Sequence, residues 1–125
     1  MYTAKETSTN QLNKAIAISK CPVTFTLEKI GGRWKALIIY HLLAEHKRYG
    51  ELKKALPAIT EKMLIQSLKD LELDKLVIRD VKPVVPPHVT YRLTEAGKAL
   101  GPALKAMAEW GLGQPEYDHE AKKCQ

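Results

Sequence analysis

Apolar positions recur at helical spacing through most of this chain and switch to a two-residue period in one stretch near its middle. Leu12, Ala15, Ile16 and Ser19 follow Asn10, a candidate N-cap, and predict a short helix near the start. Cys21-Pro22 opens a second helix in which Val23, Leu27 and Ile30 share one face. Proline suits a first helical turn, and Gly31-Gly32 ends the pattern. From Arg33 to about Ala44 a third helix carries Trp34, Leu37, Ile38, His41 and Leu42 on one side, a core-facing stripe. A shorter helix, Gly50 to Leu56, buries Leu52, Ala55 and Leu56 and stops at Pro57, which has no N–H to continue it.

After the turn Pro57-Ala58-Ile59, Thr60 caps a helix running to about Leu73. Its inward stripe is Leu64, Leu68 and Leu71; its outward stripe is Lys62, Ile65, Gln66 and Lys69. Two helices joined by a tight turn, the second with a polar, basic outer face, predict a helix-turn-helix. The period then changes. Val77, Arg79 and Val81 oppose Ile78, Asp80 and Lys82, and Val89, Tyr91 and Leu93 alternate with Thr90 and Arg92, giving two strands. The loop between them, Pro83-Val84-Val85-Pro86-Pro87-His88, is stiffened by three prolines and reads as a wing beside the second helix.

Thr94 caps a long final helix to about Gly111, with Ala96, Leu100, Leu104 and Met107 on one side and Ala99, Ala103, Ala106 and Trp110 on another. A helix apolar on two sides needs two partners, its own domain and a second subunit. Pro102 is expected to kink it near Lys98. The fold class is α+β and mostly helical: a winged helix-turn-helix with a two-stranded wing and terminal dimerisation helices. Residues 1–20 form an arm contributing to the dimer, 21–111 the winged-helix domain and 112–125 a loose polar tail.

Charge sharpens this picture. The net charge is +6, and Lys29 to Arg92 holds 13 Lys and Arg against 7 Asp and Glu, so that segment alone carries +6 while the flanks contribute +1 and −1. A basic middle predicts a polyanionic partner, double-stranded DNA first among them; a solvated basic surface with no partner is the alternative. The polar start does not read as a signal peptide and no apolar run is long enough to span a bilayer, so a soluble, cytoplasmic protein without membrane contact is expected. Cys21 and Cys124 form neither a disulfide framework nor a zinc cluster. No glycine-rich phosphate loop or Ser-His-Asp set occurs; His41 and His46 lie about 140° apart round a helix, and His88 and His119 stand alone. The chain therefore reads as no enzyme, with no cofactor and no metal. A winged helix used only for protein contacts is the competing class.

Together, Cys21-Pro22-Val23, Ile30-Gly31-Gly32-Arg33-Trp34, Tyr49-Gly50-Glu51-Leu52, Leu56-Pro57-Ala58-Ile59-Thr60-Glu61-Lys62-Met63-Leu64, Leu68-Lys69-Asp70-Leu71-Glu72, Val85-Pro86-Pro87-His88-Val89-Thr90-Tyr91 and Leu93-Thr94-Glu95-Ala96-Gly97 resemble HxlR-type regulators, relatives of the MarR group. The resemblance covers about Cys21 to Gly111. It implies a winged-helix homodimer on inverted-repeat operator DNA, often responsive to oxidants or electrophiles. Two departures stand out. Gly50 replaces a usual Ser, weakening the cap expected there, and Ile65 replaces a common Thr, favouring contact with a thymine methyl.

Within that frame Gln66 can bond adenine bidentately, and Lys62 can reach guanine acceptors or a phosphate. Thr60 and Lys69 suit phosphates, which set register without reading sequence. Arg33, Lys35, Tyr49, Arg79 and Lys82 are candidates to clamp the backbone or enter the minor groove. The plain alternative for each is a solvated surface residue. Leu12, Ile16, Ala99, Ala103, Ala106 and Trp110 are the candidate dimerisation residues. Cys21 sits where the helix starting at Pro22 stabilises a thiolate; in resembling proteins the cysteine before this proline often serves as a redox switch. A small, inert packing residue is the alternative. Cys124 is a candidate resolving thiol or incidental.

Overall fold

The computed structural model describes residues 21–121. The predicted helix around Leu12 and Ile16, and Cys124, lie outside them. The chain divides into two compact units, one ending at Gly32 and one beginning at Arg33.

In the first unit, α1 spans Pro22–Ile30. Cys21 is its N-cap and Pro22 its first residue, as the sequence predicts. Gly32 follows the helix with φ +81°, a left-handed conformation that glycine adopts without a Cβ penalty. Of the three residues that share its apolar face, Val23 is 66% and Leu27 57% exposed, and Ile30 is buried.

The second unit is built on α2 (Lys35–Leu42), which touches α3 (Tyr49–Ala55), α4 (Glu61–Leu73), β3 (His88–Leu93) and α6 (Gly101–Leu112). A helix surrounded by neighbours has no need of a single apolar stripe. Ile38, Ile39 and Leu42 are its buried residues, whereas Trp34, Leu37 and His41, expected in the core, are half-buried. Around them pack Leu52 of α3, Leu56 and Ile59 of the turn, and Leu64, Leu68 and Leu71 of α4. Thr60 Oγ1 accepts the Met63 N–H at 3.1 Å. Ile59 and Leu64, both fully buried, occupy the N′ and N4 positions of a hydrophobic staple, which fixes the angle at which the chain enters α4.

The α4 end is equally specified. Lys75 takes φ +59°, the Leu76 N–H returns to Leu71 O at 2.9 Å, and the Thr94 hydroxyl donates to Lys75 O at 2.7 Å. A non-glycine residue in this left-handed corner is held there by its neighbours on both sides.

The sheet has three strands, not two, in the order β1-β3-β2. β2 (Val77–Lys82) and β3 form the predicted hairpin, antiparallel with Val77 opposite Leu93 and Lys82 opposite His88. β1 is the pair Lys47–Arg48, with Lys47 opposite Tyr91 and Arg48 opposite Thr90. Arg48 is also the N-cap of α3, and the Glu51 carboxylate accepts its N–H at 2.8 Å. Gly50 is thus the second residue of α3 rather than its cap, and the weakened cap expected there is absent.

The long C-terminal helix is broken rather than kinked. α5 (Glu95–Ala99) ends at Leu100, which also begins α6, with Pro102 in the first turn of α6. The proline has no N–H to continue α5 but suits a new start. Gly97 is buried, and a Cβ there would press into the Leu76 carbonyl oxygen, a backbone atom unable to swing aside. Beyond Gly113 the expected loose tail is a series of turns as far as Ala121, with Tyr117 N–H bonded to Gln114 O and Tyr117 stacked edge-on to His119 at 4.8 Å.

Candidate nucleic-acid interface

The burial of α4 divides it cleanly. Leu64, Ser67, Leu68 and Leu71 face the core, and Lys62, Ile65, Gln66 and Lys69 are exposed on the far side. Recurrence at three and four residues puts those four on one continuous outer stripe. Glu61 lies in the first turn, so the helix entrance holds one carboxylate beside Lys62.

The cap and one residue of the stripe are engaged. Thr60 Oγ1 is occupied as an acceptor by its capping bond, which leaves the hydroxyl hydrogen to donate outward. Gln66 Nε2 donates to Asp70 Oδ1 at 2.9 Å, one turn along the same helix. The other carboxylate oxygen, Asp70 Oδ2, lies 3.4 Å from Lys35 Nζ. Lys35 is therefore directed at α4 within the protein and does not stand with the outward cations. Arg33 is exposed and lies over the Trp34 ring at 4.6 Å. Tyr49, the first residue of α3, is half-buried, and burial, followed by Glu61 and Tyr91, pushes its hydroxyl pKa up, so it is a hydrogen-bonding phenol and not a charge.

Between α4 and the hairpin runs a groove lined by Ile65, Leu68, Lys69, Glu72, Arg79 and Tyr91. Lys69 and Arg79 stand on its two walls, one from the helix and one from β2. On the opposite face of the sheet is a basic cluster the sequence does not reveal. Lys82 opposes His88 across the hairpin, and Arg48, paired with Thr90 next along, joins them because β1 lies alongside β3. Arg92 is on the same face but is bonded to Asp80 at 2.6 Å, which neutralises it. Arg48 was hidden because a two-residue polar strand has no alternation to detect.

His88 Nδ1 is enclosed and makes no hydrogen bond. Desolvation, then the charges of Arg48 and Lys82, lower the pKa of its ring below the usual 6.5. The folded state then resists the proton that the unfolded chain accepts. Stability is expected to fall as the pH drops from 6.5 toward the lower, folded-state value, with no His88 contribution to the slope above that window. An NMR titration should place the His88 midpoint below 6.5, and Lys82→Ala should raise it; a midpoint unmoved by that variant contradicts the cluster.

At the other end of the unit, Ala99, Ala103 and Ala106 are exposed and Trp110 is 70% exposed. Ala96 and Met107, expected on the inward side, are exposed as well, Met107 at 59%, so Leu104 is the buried member of that side and Leu100 is half-buried. An apolar groove between α2 and α6, lined by Ala36, Leu37, Tyr40, Leu104, Met107 and Ala108, continues this surface. In the first unit, Cys21 Sγ accepts the Thr24 N–H at 3.5 Å, and hydrogen bonding from Thr24 lowers its thiol pKa. Among the described residues no group of His, Cys, Asp and Glu is arranged to hold a metal, and no helix is long and apolar enough to cross a membrane.

A helix-turn-helix whose second helix presents a basic, polar stripe beside a β-hairpin defines a winged-helix transcriptional regulator. The HxlR-like helix-turn-helix family model matches residues 29–119, and the chain belongs to that family. It is 47% identical over 91 residues to the uncharacterised HTH-type transcriptional regulator YybR of Bacillus subtilis (strain 168), covering 73% of each chain. To YkvN, an uncharacterised HTH-type transcriptional regulator of the same organism, it is 47% identical over 99 residues, covering 79% of this chain and 84% of that one. Among solved structures it resembles the redox regulator HypR in its oxidised form, with TM-score 0.73, 45% identity and coverage of 77% and 99%. It also resembles the reduced form of the transcriptional regulator YodB from B. subtilis, with TM-score 0.65, 33% identity and coverage of 93% and 97%. The protein is a transcriptional regulator with a helix-turn-helix, and the family consists of regulators rather than enzymes.

Proposed function

We propose that the chain acts as a cytoplasmic homodimer that binds an inverted-repeat operator, each protomer placing α4 in the major groove. The observation that carries this reading is the outward stripe of Lys62, Ile65, Gln66 and Lys69, set opposite leucines that are fully buried. Gln66 reads an adenine edge, Lys62 a guanine edge or a phosphate, and Ile65 a thymine methyl. The Thr60 hydroxyl and Lys69 contact phosphates, as do Arg33 and Tyr49 at the flank. Arg79 and Lys82 contact DNA from the wing, and Arg48, which shares the His88 environment with Lys82, contacts it with them. Ala99 of α5 and Ala103, Ala106 and Trp110 of α6 form the dimer contact.

Gln66→Ala is expected to weaken specific binding by about 1–3 kcal/mol and to relax discrimination at one base pair per half-site. Selection from a randomised duplex pool measures this directly. A selected motif identical to that of the unmodified protein would refute the role of Gln66.

The same reading includes a redox response through Cys21. Its lowered pKa and partly exposed position at a helix N-terminus favour the reactive thiolate, and the kinship with the redox regulator HypR points the same way. An oxidant such as diamide takes two electrons and two protons from Cys21 and a second thiol, leaving a disulfide; an electrophile instead alkylates Cys21. Operator binding should change after diamide in the unmodified protein and stay constant in Cys21→Ser. Equal responses from the two proteins would remove Cys21 from the mechanism.

A further inference from the structure

We propose that Asp70, anchored by Lys35, is a specificity-determining positioning residue that fixes the orientation of the Gln66 amide. This rests on the reading of Gln66 as a base-contacting residue. An ionised carboxylate only accepts hydrogen bonds, so the end of the Gln66 side chain facing Asp70 must be the NH2 group, as the 2.9 Å contact from Nε2 to Oδ1 has it. The carbonyl Oε1 is thereby turned away from Asp70, with the second N–H beside it. This acceptor-then-donor edge complements adenine, which offers the N6 donor and the N7 acceptor in the major groove. It is mismatched to guanine, which offers the O6 and N7 acceptors. A free glutamine can rotate its amide by half a turn and present donors to guanine instead. Asp70 removes that option.

Asp70 is itself held. Lys35, from the start of α2, reaches its second oxygen at 3.4 Å, so the carboxylate is tied between two helices. That contact also answers a problem of charge. A carboxylate on the outer side of a DNA-reading helix repels phosphates, and Lys35 offsets that repulsion locally. Lys35 thus serves recognition without touching DNA, which accounts for its inward direction in an otherwise outward-facing set of cations.

The test combines Gln66→Ala, Asp70→Ala, Asp70→Asn and Lys35→Met in the full-length protein, using selection from a randomised inverted-repeat duplex pool. Nonspecific affinity is measured on a duplex without the selected motif. The adenine-over-guanine preference of a good bidentate contact is on the order of tenfold; Asp70→Ala should reduce it about threefold or more while leaving nonspecific affinity equal or higher. Asp70→Asn should behave likewise, because an asparagine amide both donates and accepts and no longer dictates the Gln66 orientation. Lys35→Met should give a smaller loss in the same direction, and Asp70→Ala added to Gln66→Ala should change nothing further. Without DNA, the NMR shifts of the two Gln66 side-chain amide protons should differ from those of a free glutamine amide in the unmodified protein and move toward those values in Asp70→Ala. If Gln66→Ala loses the base preference but Asp70→Ala keeps it, the positioning role is overturned. If Gln66→Ala keeps the preference too, the base-reading role falls and the inference falls with it.

Discussion

Ala106→Glu is expected to yield a folded monomer whose operator affinity is lower by about 100-fold or more. Ala106 is exposed in the protomer, on a twelve-residue helix whose exposed side also carries Ala103, Met107 and Trp110. Glutamate is a good helix former, so α6 itself should be little affected. In a two-fold assembly the substitution appears twice on one self-complementary surface, bringing two carboxylates into an apolar contact where burial of an unpaired charge is strongly unfavourable. Separating the protomers removes the gain from engaging two half-sites at once, which is where the large loss of affinity comes from. Sedimentation gives the mass and fluorescence anisotropy the affinity. A variant that remains dimeric and binds normally would show that the exposed α6 face is not the contact surface.

The second large effect falls on stability. Leu64→Ala should cost about 2–5 kcal/mol, because Leu64 is fully buried and the cavity left beneath the first turn of α4 cannot close around a β-carbon. Its neighbour Ile65 is 44% exposed, and Ile65→Ala should alter stability by no more than about 0.5 kcal/mol. The contrast between adjacent residues is the useful observation: one supports the helix, the other faces outward. Denaturant unfolding at matched protein concentration separates them, since assembly makes apparent stability depend on concentration. Equal costs at both positions would mean that α4 is turned differently about its axis.

The division of α4 into leucine and polar stripes was legible because both follow from a fixed period of 3.6 residues, and the caps at Thr60 and Thr94 were legible because a hydroxyl before a helix has a local task. What lay outside the reach of pattern was set by contacts distant in sequence. Lys47–Arg48 is a strand because β3 offers an unpaired edge, and nothing in Lys-Arg announces it. Placing the cap of α3 at Gly50 failed because that cap is an arginine backbone bonded by Glu51, a device without the usual side-chain signature. The proline at 102 was visible, but its presence does not say whether a helix bends or divides there; the break falls between Gly97 and Gly101, both buried. Val23 and Leu27 had the spacing of a core face and are exposed in the protomer, since periodicity identifies an apolar side without stating what covers it. The Asp70 carboxylate could be paired with Gln66 by its i, i+4 spacing, but its tie to Lys35 crosses between helices and needed the fold.

Hydroxyl-radical footprinting on a duplex taken from the selected pool, repeated across a range of salt concentrations, tests most directly whether paired α4 helices read DNA. The account predicts two protected half-sites on one face of the duplex, centred about 34–36 Å apart, with protection that weakens steeply as salt rises. Protection of one isolated half-site, or binding indifferent to salt, would contradict it.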